Sequence, residues 1–349
     1  MKQVGIYGGF VFCLFVSIVG LSLANDSNGN YHLLNKYDIG GGDSKTEYWD
    51  YMTLDEGSGR LYLSHNTEVT VVDSGTGHVV GTIADIKRGH GIALVKDLGR
   101  GFISSGGTDE IIVFDLNTLK SVARIKVGGN PDCIIYDPAS RHIFVMNGET
   151  KSASVIDPVK EVVLATVPMG GRPEFAVADG KGLIYDNIED KNEVAVLDTE
   201  TLTIKNRWAI APAGGATAIA MDTEHRRLFI GGRNKVFAIM NADNGRVVQT
   251  FPIGAGVDSN VYEASTGLVF SAMRDGTLYL FHEDSPDKFS QVEILQTEVG
   301  ARNIAVDSKT HKLFTDTVEF RPASAAAGTQ PIPQPTPIPG TFHLLVYSR

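Results

Sequence analysis

Cysteine is nearly absent from this chain: Cys13 and Cys133 are the only two in 349 residues. Cys13 lies inside an N-terminal apolar run, so loss of that segment leaves Cys133 alone and excludes an intramolecular disulfide. No CxxCH occurs, which excludes covalent haem attachment. Cys133 falls in the apolar run that follows Asp132, and it reads as a small buried hydrophobe rather than a nucleophile. The familiar catalytic signatures are missing too, with no Walker loop, no GxSxG elbow and no HExxH. Positive charge is in short supply, with 31 Lys and Arg against 41 Asp and Glu, a formal net charge of −10. No run of basic residues offsets this, so a nucleic-acid partner is excluded. The nine histidines are scattered singly, and the acidic turn 282–287 reads as a solvated turn rather than a cation loop.

What the chain has instead is a period. Six short phrases end runs of β-branched and aliphatic residues: Val71-Val72-Asp73, Val113-Phe114-Asp115, Val155-Ile156-Asp157, Val196-Leu197-Asp198, Ile239-Met240-Asn241 and Leu280-Phe281-His282. Their steps are 42, 42, 41, 43 and 41 residues. Seven aromatics precede them in phase, namely Tyr62, Phe102, Phe144, Tyr185, Phe229, Phe270 and Phe314. A period in the forties, with several short strands per unit and no helical stretch, predicts a β-propeller whose blades are four-stranded antiparallel sheets. Such arrays grow by adding units, so residues 31–349 read as one domain despite their length.

The third unit reads Phe144-Val145-Met146-Asn147, then Ala153-Ser154-Val155-Ile156-Asp157, then 162–167, then Gly170-Gly171-Arg172-Pro173. In this it resembles the YVTN-repeat β-propellers, the YncE-like extracytoplasmic proteins, over roughly residue 31 to the C-terminus. The resemblance implies the seven-bladed fold. It implies little about activity, because relatives range from binding modules to propellers carrying redox cofactors.

The seventh unit has candidate strands at 303–306, 313–317 and 342–347 but no fourth. Residues 31–39, followed by Gly40 to Gly42, have the strand-then-glycine form of a fourth strand. The expected fold is therefore an all-β, seven-bladed propeller closed by its N-terminal strand joining the C-terminal blade, which covers an otherwise exposed sheet edge.

Residues 1–24 carry Lys2, an apolar stretch over 4–23 and small residues at Ser22 and Ala24, the form of a cleaved signal peptide. Residues 25–30 are a short polar linker. A retained anchor is the competing reading, since the run approaches the ~20 residues that span a bilayer. Cleavage leads to a periplasmic or secreted protein with no stable membrane span.

Superposing the units gives a candidate site. Counting back five residues from the end of each innermost strand (Asp55, Val95, Asp137, Asp179, Asp222, Glu263, Asp307) yields Asp50, His90, Asp132, Glu174, Thr217, Asp258 and Arg302. All seven are polar, and in a propeller they form a ring at the mouth of the central channel. One reading is a hydrated lining in which Arg302 pairs with Asp50 and Asp258. The other is an acidic pole of His90, Asp132 and Glu174. Such a pole suits a divalent cation, a cationic or polyhydroxylated ligand, or a general base whose neighbours raise its pKa.

One unit is longer than the rest. From aromatic to phrase-ending residue the first six units use 11 to 13 residues, and the seventh uses 34. The excess is a Pro- and Ala-rich insertion over about 319–341, whose composition favours extended polyproline conformation. A loop between second and third strands emerges on the ring face, so this insertion is expected there as a lid or partner-docking arm. The sequence thus points to an extracytoplasmic binding or interaction scaffold with no cofactor, serving a protein, sugar or small-molecule partner through the channel face. The alternative is a hydrolase of the propeller lactonase type, for which no complete catalytic set can be matched.

Overall fold

The computed structural model describes residue 1 and residues 29–41, 47–321 and 335–349. The expected signal peptide, beyond residue 1, and the greater part of the proline-rich insertion, 322–334, lie outside the described residues.

Residues 31–349 form seven four-stranded antiparallel sheets, one for each repeat. The innermost strands are Trp49–Asp55, Gly89–Val95, Pro131–Asp137, Pro173–Ala178, Ala216–Asp222, Val257–Glu263 and Asn303–Val306. Each packs against the next, and that of blade seven packs against that of blade one, so the blades close into a ring. Blade seven takes its outermost strand from His32–Asp38, which runs antiparallel to His343–Ser348 with His32 opposite Ser348 and Asp38 opposite His343. Tyr31, just before that strand, is buried edge-on against Phe270 of blade six, with ring centroids 5.6 Å apart.

The repeated residues explain why the blades stack. All seven phase-setting aromatics, from Tyr62 to Phe314, are fully or almost fully buried in the second strands of their blades. Buried hydrophobic residues fall into seven clusters, one at each junction between neighbouring blades. A blade alone would leave both faces wet, so burial at the junctions drives closure.

The recurring Asp has a local task. Asp73, Asp115, Asp157 and Asp198 each accept backbone N–H bonds from the residues two and three further on. These are Asx turns that close the hairpin between third and fourth strands. Against a small opposing effect of burial, these turn bonds hold the carboxyls of Asp73, Asp115 and Asp157 below their ordinary range, and at Asp198 the Lys205 ammonium does so first, with the turn bonds adding to it. The phrase that sets the period is therefore a folding device.

Candidate ligand-binding cavity at the channel mouth

Six of the seven ring residues are the second residue of their innermost strand, and Arg302 immediately precedes the seventh strand. In those same six strands the pairing with the second strand slips at or just after the ring position, for example between Asp50 and Met52 and between Pro173 and Ala176. A bulge puts an extra residue against its partner strand and re-aims side chains. Here it turns polar residues toward the channel mouth and, in blade one, carries Tyr51 to a φ of +27°.

All seven ring residues line one cavity of about 780 Å³. Tyr51 of blade one and Phe175 of blade four stack within it, with centroids 5.1 Å apart. Trp49, Tyr48 and Phe320 complete an aromatic wall. Phe320 belongs to the stem of the insertion, where Phe320–Arg321 pairs with Thr336–Pro337 as a two-residue ribbon. The stem is tied at Glu319 N to Thr341 Oγ1, 2.9 Å, and at Gly340 N to Glu47 Oε1, 2.7 Å. Phe320, Pro335 and Pro337 bring the insertion to the cavity wall.

The expected acidic pole has a different composition. His90 meets Asp50 rather than Glu174: His90 Nδ1 lies 2.7 Å from Asp50 Oδ2 and 3.5 Å from Asp132 Oδ1. The Tyr48 hydroxyl joins them, 2.8 Å from Asp50 Oδ2 and 2.9 Å from His90 Nδ1. Ligand atoms of Asp50, His90 and Asp132 lie within 4.8 Å of one another, so these three, and not the expected His90, Asp132 and Glu174, are placed to share a cation. A second trio, Asp222, His225 and Glu283, lies elsewhere; the expected acidic turn at 282–287 is mostly strand, since Thr277–Ser285 continues through it, and the Glu283 side chain is drawn out of solvent.

Burial alone would raise Asp50, but the hydrogen bond and charge of His90, with Arg302, hold its carboxyl below the usual range. Burial would lower His90, and Asp132 with Asp50 outweighs it, so the imidazole sits above its ordinary value. Burial pushes Asp132 up to about 6 against the pull of His90. Burial, with the negative charges of Asp132 and Glu189, pushes Glu174 up to about 8.

Arg302 pairs with Asp258, Nε to Oδ2 2.7 Å, and lies over the Trp49 ring at 4.7 Å while donating to the Trp49 carbonyl. Among the described residues it makes no ion pair with Asp50, which is already engaged by His90 and Tyr48. Thr217 donates to the Val257 carbonyl at 2.6 Å and thereby links two inner strands.

Four further arginines line the cavity, Arg88, Arg172, Arg233 and Arg274, all exposed at its rim. They are far apart in sequence, so a search for a basic run misses them. A periodic signal does exist. Arg88 and Arg172 stand two residues before ring residues His90 and Glu174, and Arg233 and Arg274 stand four after the phase-setting Phe229 and Phe270.

This geometry defines the class: a seven-bladed β-propeller with a polar cavity at one mouth of its channel. No family model and no curated protein matches the sequence. Solved structures do match in fold. A chain of the Kuenenia stuttgartiensis hydrazine synthase is similar at TM-score 0.68 and 13% identity, over 76% of this chain and 91% of that one. A chain of the mitotic checkpoint complex is similar at TM-score 0.68 and 14% identity, over 88% of this chain and 96% of that one. At such identity the likeness is one of architecture, and function has to be argued from the site.

Proposed function

We propose that this chain is an extracytoplasmic binding module of the YVTN-repeat kind, which takes a small polar ligand or a protruding segment of a partner protein at the channel mouth. The observation that supports it is convergence: seven polar residues from seven blades, four rim arginines and the stem of the insertion line one cavity of about 780 Å³. That volume is within the range of sites for small molecules, roughly 300–1,000 Å³. Glu174 Oε2 and His90 Nε2 are buried there without a hydrogen-bond partner, as in a site whose donors and acceptors are completed by a ligand. The signal-like residues 1–24 support export.

A thermal-shift screen of sugars, carboxylates, phosphates, polyamines and divalent cations tests this reading, because a ligand that binds only the folded state raises its melting temperature. Hits should lose their shift in a His90→Asn, Asp132→Asn double variant. Hits that keep it both there and in an Arg172→Gln, Arg233→Gln double variant bind outside the cavity and sink the proposal.

A hydrolase of the lactonase type is the second reading. It draws on Asp132, pushed up to about 6 by burial, beside a His90 imidazole held above its ordinary value by Asp132 and Asp50, a carboxyl and an imidazole placed to pass a proton between them. Lactone turnover that disappears with His90→Asn would favour it.

A further inference from the structure

Within the cavity, two rim arginines share an arrangement that the others lack. Arg172 enters from the turn before the innermost strand of blade four, and Arg233 from the hairpin between second and third strands of blade five. Both converge on Glu189, Arg172 Nε at 3.4 Å and Arg233 Nη1 in closer contact. One carboxylate therefore steers two guanidinium groups. Their other neighbour is Glu174, at 3.7 Å from Arg172 and 3.9 Å from Arg233, beyond the roughly 2.7–3.2 Å of a hydrogen bond. The two side chains remain 44% and 52% exposed, and Glu174 Oε2 is buried with no hydrogen-bond partner. By contrast Arg274 reaches both oxygens of Asp258 at 3.0 Å. Phe175, next to Glu174 in sequence, lines the same cavity and stacks on Tyr51.

We propose that the Arg172–Arg233 corner is an oxyanion seat, which takes the carboxylate or phosphate of an anionic small molecule whose body lies over the Tyr51–Phe175 stack. This rests on the channel-face reading above and names its ligand chemistry. Planar guanidinium forks match carboxylate and phosphate geometry, and charge-assisted bonds of this kind are the strong ones. The local charge favours an anion as well. Five arginines and five carboxylates line the cavity, and burial with Asp132 and Glu189 pushes Glu174 up to about 8. Near neutrality Glu174 therefore stays protonated, with buried Asp186 behind it also held toward its neutral form, and the two guanidinium groups face the single charged carboxylate of Glu189, a local surplus of positive charge on a chain whose formal charge is −10. Above about pH 8 Glu174 ionises, repels an anion and competes for both arginines.

Calorimetry with glucuronate, glucose 6-phosphate, glucose and spermidine tests the seat, because the first three share one body and differ in the oxyanion. At least one of the two anions should bind about tenfold or more tighter than glucose, the scale of one charge-assisted hydrogen bond. The stronger of the two identifies the source as carboxylate or phosphate. Its affinity should fall as pH rises through about 8. An Arg172→Gln, Arg233→Gln double variant should lose about tenfold or more at an unchanged melting temperature, and Arg233→Gln alone, at an exposed rim position, serves if the double variant is unstable. Glu174→Gln should keep the anion and flatten the pH dependence. Glucose binding as tightly as the anions overturns the seat, as does full affinity in the arginine variants. Spermidine binding that is lost in Asp132→Asn overturns the seat but leaves the channel-face reading standing. Failure of both anions to bind overturns the seat, and only failure of the whole thermal-shift screen as well overturns the channel-face reading.

Discussion

Tyr51 and Phe175 come from blades one and four, on separated parts of the ring, yet their rings stack 5.1 Å apart at an interplanar angle of 28°. Both residues sit where the pairing of their innermost strands slips. At Tyr51 the bulge comes with a φ of +27°, a strained conformation for a residue with a Cβ. The contact links blades that share no junction.

Tyr51→Ala should therefore destabilise the domain by about 1 kcal/mol, the scale of an aromatic pair, since the ring is half-buried on a cavity wall rather than enclosed in a core. It should also enlarge the cavity. Tyr51→Phe keeps the stack and should be close to neutral. Urea denaturation of the three proteins is the check, and equal midpoints for Tyr51→Ala and wild type would show that the stack carries no stability.

The His90–Asp50 pair predicts a pH signature. Because the His90 pKa is raised in the folded protein, the pair's stabilisation is fully present below the unfolded value of about 6.5 and is lost as pH rises through the folded one. Asp50→Asn should cost most stability near pH 6 and least near pH 9, and should move the NMR titration of His90 downward. An unmoved titration would mean that Asp132 alone sets the imidazole.

Asp316, in the second strand of blade seven, is fully buried and accepts one hydrogen bond, from Asn303 Nδ2 at 3.0 Å. Burial pushes its carboxyl up to about 8 from an ordinary 3.8. The folded form thus holds a proton that the unfolded chain releases, and stability falls as pH rises from about 4 to about 8, by up to about 1.4 kcal/mol per pH unit. Asp316→Asn keeps an acceptor for Asn303 and removes the ionisation. Its advantage over wild type should grow across that window and then level off, and parallel pH profiles for the two proteins would show that Asp316 is ionised throughout.

Removing residues 31–39 strips blade seven of its outer strand and the Tyr31 contact with Phe270. The truncated protein should melt well below wild type and aggregate, since His343–Ser348 becomes an open edge. Light scattering and a melting curve check it.

The fold was legible in the sequence because its markers do periodic structural work. Seven aromatics fill seven junctions and four Asp residues close the same turn, so each is forced into phase. The ring was legible for the same reason, since its members share a position relative to the strand ends. What the ring residues touch was not. Asp50 was expected beside Arg302 but is engaged by His90 and Tyr48, and Glu174 was grouped with His90 although Arg172 and Arg233 surround it. Those contacts depend on how far side chains reach between blades, which spacing along one chain does not encode. The arginines are not legible because each occupies a periodic position in only two blades, too few to stand out against the repeat.

The register of the closing strand has a mechanical consequence. His32 lies opposite Ser348 and Asp38 opposite His343, so the flanks of the clasp leave from the same end of the blade. Tension applied through those flanks loads the backbone bonds one pair at a time, as in opening a zipper, instead of all together as in sliding two rods. A ring that resists heat through seven packed junctions would then yield to a modest pull at this one seam, and blade seven would be the first to open.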